Sequence, residues 1–330
     1  MGHGQRPARC YLSVHTACAP EQHVVTQRNP PPSAVGSVEE RTDKPAILAC
    51  TKTVIDSHHH FWWTGRHTYT WPAPVGDRFA RDFTPENLRP ELEHCGIKGT
   101  VLIQVLHQVG GETEESLDLC REVNFVRGVV GWLPLVDPDA TSDALRRLRS
   151  RGKLVGVRHL ISNEPDPRWL LQESVVESLG LLAAAGLVFD AIPVNAAQFE
   201  SMLEVARRLP QLKIVINHLG RPPIPEQGWE PWATQIARAA EHRNLAMKLS
   251  IGLDVIMRGR WSTQGICRYS DHVLDLFGPE RVMAASNWPV ILLGASYEEA
   301  WRGIAALVAG LSANQQRAVL GETATRIYGL

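Results

Sequence analysis

The chain has 330 residues, 44% of them hydrophobic and 21% charged, ordinary proportions for a globular protein with a large core. A formal net charge of -1 supplies no global field for nucleic acid or an anionic membrane, and no apolar run approaches the roughly 20 residues that span a bilayer. The expected partner is therefore a small molecule, with self-association left open.

Residues 1–50 show no helical or strand period, are interrupted by Arg, His and Gln, and contain Asn29-Pro30-Pro31-Pro32. They read as a disordered extension without the apolar segment of a secretory signal, followed by a single domain over residues 51–330. The six cysteines, Cys10, Cys18, Cys50, Cys95, Cys120 and Cys267, form no C-x-x-C pair. Reduced thiols in a cytoplasmic protein are the simplest expectation.

Beyond residue 50, short β-branched runs alternate with helical patterns, the signature of βαβ units around a parallel sheet. The first run, Val54–Phe61, ends in His58-His59-His60, and strand alternation puts His58 and His60 on one face. Thr84-Pro85-Glu86 opens a helix that stops at Cys95-Gly96. Thr100–Val105 contains Gln104 and leads to His107, Val129–Leu135 follows, and Leu154–Leu160 carries Arg158 and His159. A helix over Ser174–Ala185 closes on Gly186, Leu187–Pro193 carries Asp190, and a helix over Phe199–Leu209 ends at Pro210. Lys213–Leu219 ends in Asn217 and His218, Leu245–Ile251 carries Lys248 and Ser250, and Val282–Val290 carries Ser286, Asn287 and Trp288. Helices over Tyr297–Leu311 and Gln315–Tyr328 complete the order. Eight such runs predict an α/β fold, a (β/α)8 TIM-like barrel, whose chemistry lies at the C-terminal strand ends.

Those ends collect polar groups. Paired imidazoles, His58 and His60, hold a metal ion or share a proton at a substrate. Arg158 follows Val-Gly-Val on a core strand, where a guanidinium is costly unless it meets an anion. Lys248 lies on a strand buried at both faces, which requires a partner such as Asp190 or a substrate group. Trp62, Trp63 and Trp71 suit core or lid packing, with Trp62 also a candidate substrate contact.

Ile55-Asp56-Ser57-His58-His59-His60-Phe61-Trp62, Gly156-Val157-Arg158-His159-Leu160, His218-Leu219-Gly220-Arg221-Pro222-Pro223, Ser286-Asn287-Trp288-Pro289-Val290 and Thr323-Ala324-Thr325-Arg326-Ile327-Tyr328 resemble the amidohydrolase-related barrel family that contains sugar-lactone and pyrone-dicarboxylate lactonases. The resemblance runs from about residue 54 to the end of the sequence. It implies a hydrolase that opens a small acidic or sugar-derived lactone by water attack, with one divalent metal such as zinc or without any. By motif match His58 and His60 take the family's strand-one positions and His218 its strand-six position, and their chemistry makes them the candidate catalytic residues, with Asn287, and the candidate metal ligands. From their places at the strand ends, Arg158, Asp190, Lys248, Gln104, Trp62 and Arg221 are candidate substrate contacts. The strand-eight position is an Asp in the family's lactonases and Asn287 here. An amide lacks the basicity of that carboxylate. Three explanations follow: inactivation by engineering, a base moved to His58, His60, His218 or Asp190, or a catalytically silent binding barrel. A metal-dependent decarboxylase of the same superfamily is the alternative enzyme.

Overall fold

The computed structural model describes residues 53–69, 75–105, 111–258 and 261–330. The expected disordered extension, Trp71 and His107 lie outside the described residues. Eight parallel strands follow one another in chain order: β1 (Ile55–His59), β2 (Gly99–Ile103), β3 (Val126–Gly131), β4 (Leu154–Arg158), β5 (Val188–Ala191), β6 (Lys213–Ile216), β7 (Leu245–Leu249) and β8 (Val282–Ala284). The seam between β8 and β1 is joined just past β8, where His60 N donates to Trp288 O at 2.8 Å and Asn287 N to His58 O at 2.9 Å. The fold is the expected (β/α)8 barrel. Its strands are shorter than the apolar runs, because inter-strand pairing ends before each run reaches its polar terminus, and β3 starts at Val126 rather than Val129.

The outer ring comprises α1 (Pro85–Cys95), α2 (Glu112–Glu122), α3 (Pro138–Arg149), α4 (Glu173–Ala184), α5 (Ala196–Arg208), α6 (Trp232–Ala240), α7 (Thr263–Phe277) and α8 (Tyr297–Val308). Local sequence sets their ends. Asn87 Oδ1 accepts from Thr84 N at 3.0 Å to open α1, whose far end is closed by Gly96 at φ 74°, and Ser296 and Glu299 form a reciprocal capping box before α8. The expected helix over Gln315–Tyr328 is instead α9 (Ala313–Arg317), a π turn over Ala318–Glu322, and α10 (Thr323–Tyr328). At that turn the chain passes against the start of β1, so closely that a Cβ on Gly321 would lie 2.0 Å from Thr53 O.

Apolar side chains occupy two separate layers. A large cluster, including Val129, Leu179, Ile214 and Trp301, fills the space between strands and helices. A smaller one fills the barrel interior: Ile55, Val101, Val130, Val188, Val215, Ala246 and Met283 meet Ala324, Ile327 and Tyr328 of α10, which plugs the N-terminal end. Strict alternation from Ile55 would send His58 and His60 to the opposite face. The β1–β2 register shifts between Asp56 and His59, and this irregularity brings both histidines to the side of Ile55.

Cys95 and Cys120 are free and buried. Among the described residues no helix is long and apolar enough to cross a membrane.

Candidate active site at the strand ends

One inward position beyond the apolar layer, the barrel becomes polar: Val188 is followed by Asp190, Val215 by Asn217, and Ala246 by Lys248. Lys248 and Asp190 are both fully buried, with Nζ 2.5 Å from Oδ2. Burial lowers the Lys248 pKa to about 8, against the opposing pull of Asp190. Tyr328 donates to the other carboxylate oxygen, Oδ1, at 2.7 Å. Lys248 Nζ also lies 3.2 Å from His58 Nδ1.

The three imidazoles gather above this pair. His60 Nδ1 lies 2.9 Å from Ile103 O, which only accepts, so the proton sits on Nδ1 and Nε2 presents its lone pair. His58 Nδ1 is 3.0 Å from Asn217 Oδ1, and Asn217 Nδ2 donates to Ala191 O. The Nε2 atoms of His58 and His60 are 3.1 Å apart. His218 stands with its ring centre 4.7 Å from that of His58, and its Nδ1 pairs with Ser250 Oγ at 2.8 Å. Burial holds all three well below the ordinary imidazole pKa, reinforced by Lys248 at His58 and His218 and by Arg158 at His60, so all three are neutral near pH 7.

The donor set falls short of the expected three-histidine metal site. Two imidazole nitrogens converge, but among the described residues no three His, Cys, Asp or Glu side chains form a group suited to a metal ion. Strand eight adds an amide where a carboxylate would supply negative charge, and Lys248 and Arg158 bring positive charge to the same imidazoles. These residues do not fit a resident divalent cation.

An open cavity of about 370 Å³ lies over the strand ends, lined on its polar side by His60, Arg158, His218, Arg221, Asp254 and Asn287. Val105, Leu160, Ile192, Val194, Leu253 and Met257 supply an apolar side. Arg158 is 4% exposed, donates to Gln104 O, and leaves Nε without a hydrogen-bond partner. Among the described residues no carboxylate forms an ion pair with it, and burial brings its pKa from 12.5 to about 10. Arg221, in contrast, pairs with Asp254 at 2.7 Å. Asn287 Nδ2 donates to Ile251 O at 2.8 Å, which leaves its carbonyl oxygen as the remaining acceptor. Both His218 and Asn287 take left-handed backbone, at φ 56° and 58°, a strain of about 1 kcal/mol each that directs them out of the strand ends.

Not every candidate reaches this cavity. Trp62 packs against Phe79 and Phe83 behind the barrel wall and donates through Nε1 to Arg81 O at 3.0 Å, so it is placed for packing rather than substrate contact. Gln104 supports Arg158 through the backbone, and Asp190, Lys248 and His58 lie beneath the cavity floor. Asp190 accepts from Lys248 and Tyr328 and does not line the cavity. The contacts that join Asp56, Ser286 and Tyr297 emerge only from the tertiary structure. Asp56 accepts from His58 N, Ser286 N, Ser286 Oγ and the Tyr297 hydroxyl, which fixes β1 to the end of β8. The sequence signal for it was a carboxylate within a buried histidine strand.

The family described as amidohydrolase matches residues 55–330. An L-fucono-1,5-lactonase of Burkholderia ambifaria is 32% identical, over 75% of this chain and 84% of that protein. Another L-fucono-1,5-lactonase, from Burkholderia multivorans, is 30% identical over 84% of this chain and 96% of its own length. The zinc-bound crystal structure of a Burkholderia multivorans amidohydrolase is 30% identical and superposes with a TM-score of 0.77, covering 84% of this chain and 99% of that one. A dihydroxybenzoic acid decarboxylase from Polaromonas is similar in fold at 14% identity and a TM-score of 0.56, covering 84% of this chain and 97% of its own.

Proposed function

The chain belongs to the amidohydrolase family, and from that premise we propose that it is a hydrolase that opens a small sugar-derived lactone by attack of water on the ring ester. The observation that carries the reading is the cavity itself, where an unpaired buried guanidinium and two neutral imidazoles face one small volume. Attack on the carbonyl carbon turns its oxygen into an oxyanion. Arg158 is the cation placed to stabilise it, since Arg221 is already neutralised by Asp254.

His60 takes the role of general base. Its proton is held on Nδ1 by Ile103 O, so the Nε2 lone pair, which His58 Nε2 approaches at 3.1 Å, takes the proton of the attacking water as it leaves that contact. When the intermediate collapses, the ring C–O bond breaks and the proton passes to the departing ring oxygen, giving a hydroxy acid. His218 and the Asn287 carbonyl orient water and substrate hydroxyls at the cavity wall. Asn287 thus belongs to an enzyme whose base has moved to imidazole. The donor set here supports a reaction driven by Arg158 and His60.

The apolar side of the cavity, with Val194 and Met257 at its rim, favours a sugar lactone bearing an unsubstituted carbon over a polyanionic one. A panel of aldonolactones and dicarboxylate lactones, followed by acid release, tests the reading, with His60→Gln as the control. Turnover of aldonolactones that falls at least about a hundredfold in His60→Gln is expected. A protein inert to every lactone but active in decarboxylating hydroxybenzoates would replace it with the decarboxylase alternative.

A further inference from the structure

The catalytic pocket is connected to the opposite end of the barrel by one continuous chain of polar contacts. It begins at Tyr328, the last residue of α10, whose hydroxyl donates to Asp190 Oδ1 at 2.7 Å. Asp190 Oδ2 accepts from Lys248 Nζ at 2.5 Å, Lys248 Nζ reaches His58 Nδ1 at 3.2 Å, and His58 Nε2 meets His60 Nε2 at 3.1 Å. Tyr328, Asp190 and Lys248 do not line the cavity. Only His60, at the far end, does.

We infer that Tyr328 is a positioning residue for the proposed hydrolysis: it fixes the Asp190 carboxylate so that Lys248 holds the His58 ring, and through it His60, in register with the cavity. The inference rests on the lactonase reading for its kinetic consequence and on geometry for the relay. A carboxylate buried in the barrel has two acceptor oxygens to satisfy. Among the described residues Tyr328 supplies the side-chain donor for one and Lys248 for the other. Removal of the tyrosine hydroxyl leaves Oδ1 unpaired, and the carboxylate then turns to share the Lys248 ammonium. Lys248 has no exposed space into which to shift, so its Nζ can follow only by changing its approach to His58. The helical plug that fills the barrel base therefore also orients an imidazole two contacts above its own partner.

Tyr328→Phe keeps the ring and removes the hydroxyl. Leu179→Ala, a truncation in α4 far from the relay, provides a comparator that loses stability without touching it. On the best lactone, Tyr328→Phe is expected to lower kcat about tenfold with KM within about twofold, whereas Leu179→Ala keeps both near wild type below its thermal transition. In the free protein, the imidazole nitrogen resonances of His58, assigned with His58→Gln, should move in Tyr328→Phe and stay in place in Leu179→Ala. Unchanged His58 resonances, or an unchanged kcat, would overturn the relay. If wild type hydrolyses no lactone, the functional reading fails while the resonances still decide the relay.

Discussion

Replacing Arg158 by Met separates catalysis from stability more sharply than any other change at this site. The guanidinium is 4% exposed, and burial lowers its pKa from 12.5 to about 10. A depression of that size corresponds to about 3 kcal/mol by which the folded state disfavours the charged form. Because the folded pKa is the lower one, the whole penalty applies below about 10 and fades as pH rises from there towards 12.5. Near neutral pH, Arg158→Met removes the penalty, fills most of the same volume, and loses the hydrogen bond to Gln104 O. With about 1.5–3 kcal/mol assigned to that charged bond, the net change lies between none and about 2 kcal/mol of added stability. Turnover should fall about a hundredfold to a thousandfold, the usual consequence of losing an oxyanion donor. Urea unfolding and kcat/KM on the same preparation give both numbers. A variant destabilised by more than about 2 kcal/mol would make Arg158 a structural residue, and one with intact kcat/KM would remove it from the mechanism.

Asn287→Asp places a carboxylate oxygen 2.8 Å from Ile251 O, an arrangement that requires a proton between them. The new carboxyl is therefore held neutral and makes a poor base, so kcat/KM should not rise; a gain beyond about tenfold would return the base to strand eight. Prolonged dialysis against a chelator should leave lactone turnover within about twofold, and a loss reversed by added zinc would show that the imidazoles act as metal ligands. Gly321→Ala sets a methyl group 2.0 Å from the Thr53 carbonyl, a backbone atom with little freedom to move. Thermal unfolding should reveal a loss of at least about 3 kcal/mol, and a loss below about 1 kcal/mol would mean that the π turn yields easily.

The sequence by itself determined the order of elements and the ring of strand ends. Apolar runs at regular spacing, helix caps such as Thr84 and Ser296, and the His58 and His60 pair are all local signals, because hydrophobic period and capping act between near neighbours. Arg158 and Lys248 were legible for the same reason: a charge within an apolar strand declares that it needs a partner. The partners themselves were decided by tertiary structure. Alternation counted from His58 pairs it with His60, but only the register shift in β1 turns both towards the interior occupied by Ile55. Trp62 suits both packing and substrate contact by sequence, and the bridge to Phe83 places it behind the wall. Tyr328 and Asp190 are 138 positions apart, and Asp56 and Ser286 are 230 apart. Such pairs arise when the barrel closes and α10 enters its base, a global geometry that no local pattern encodes.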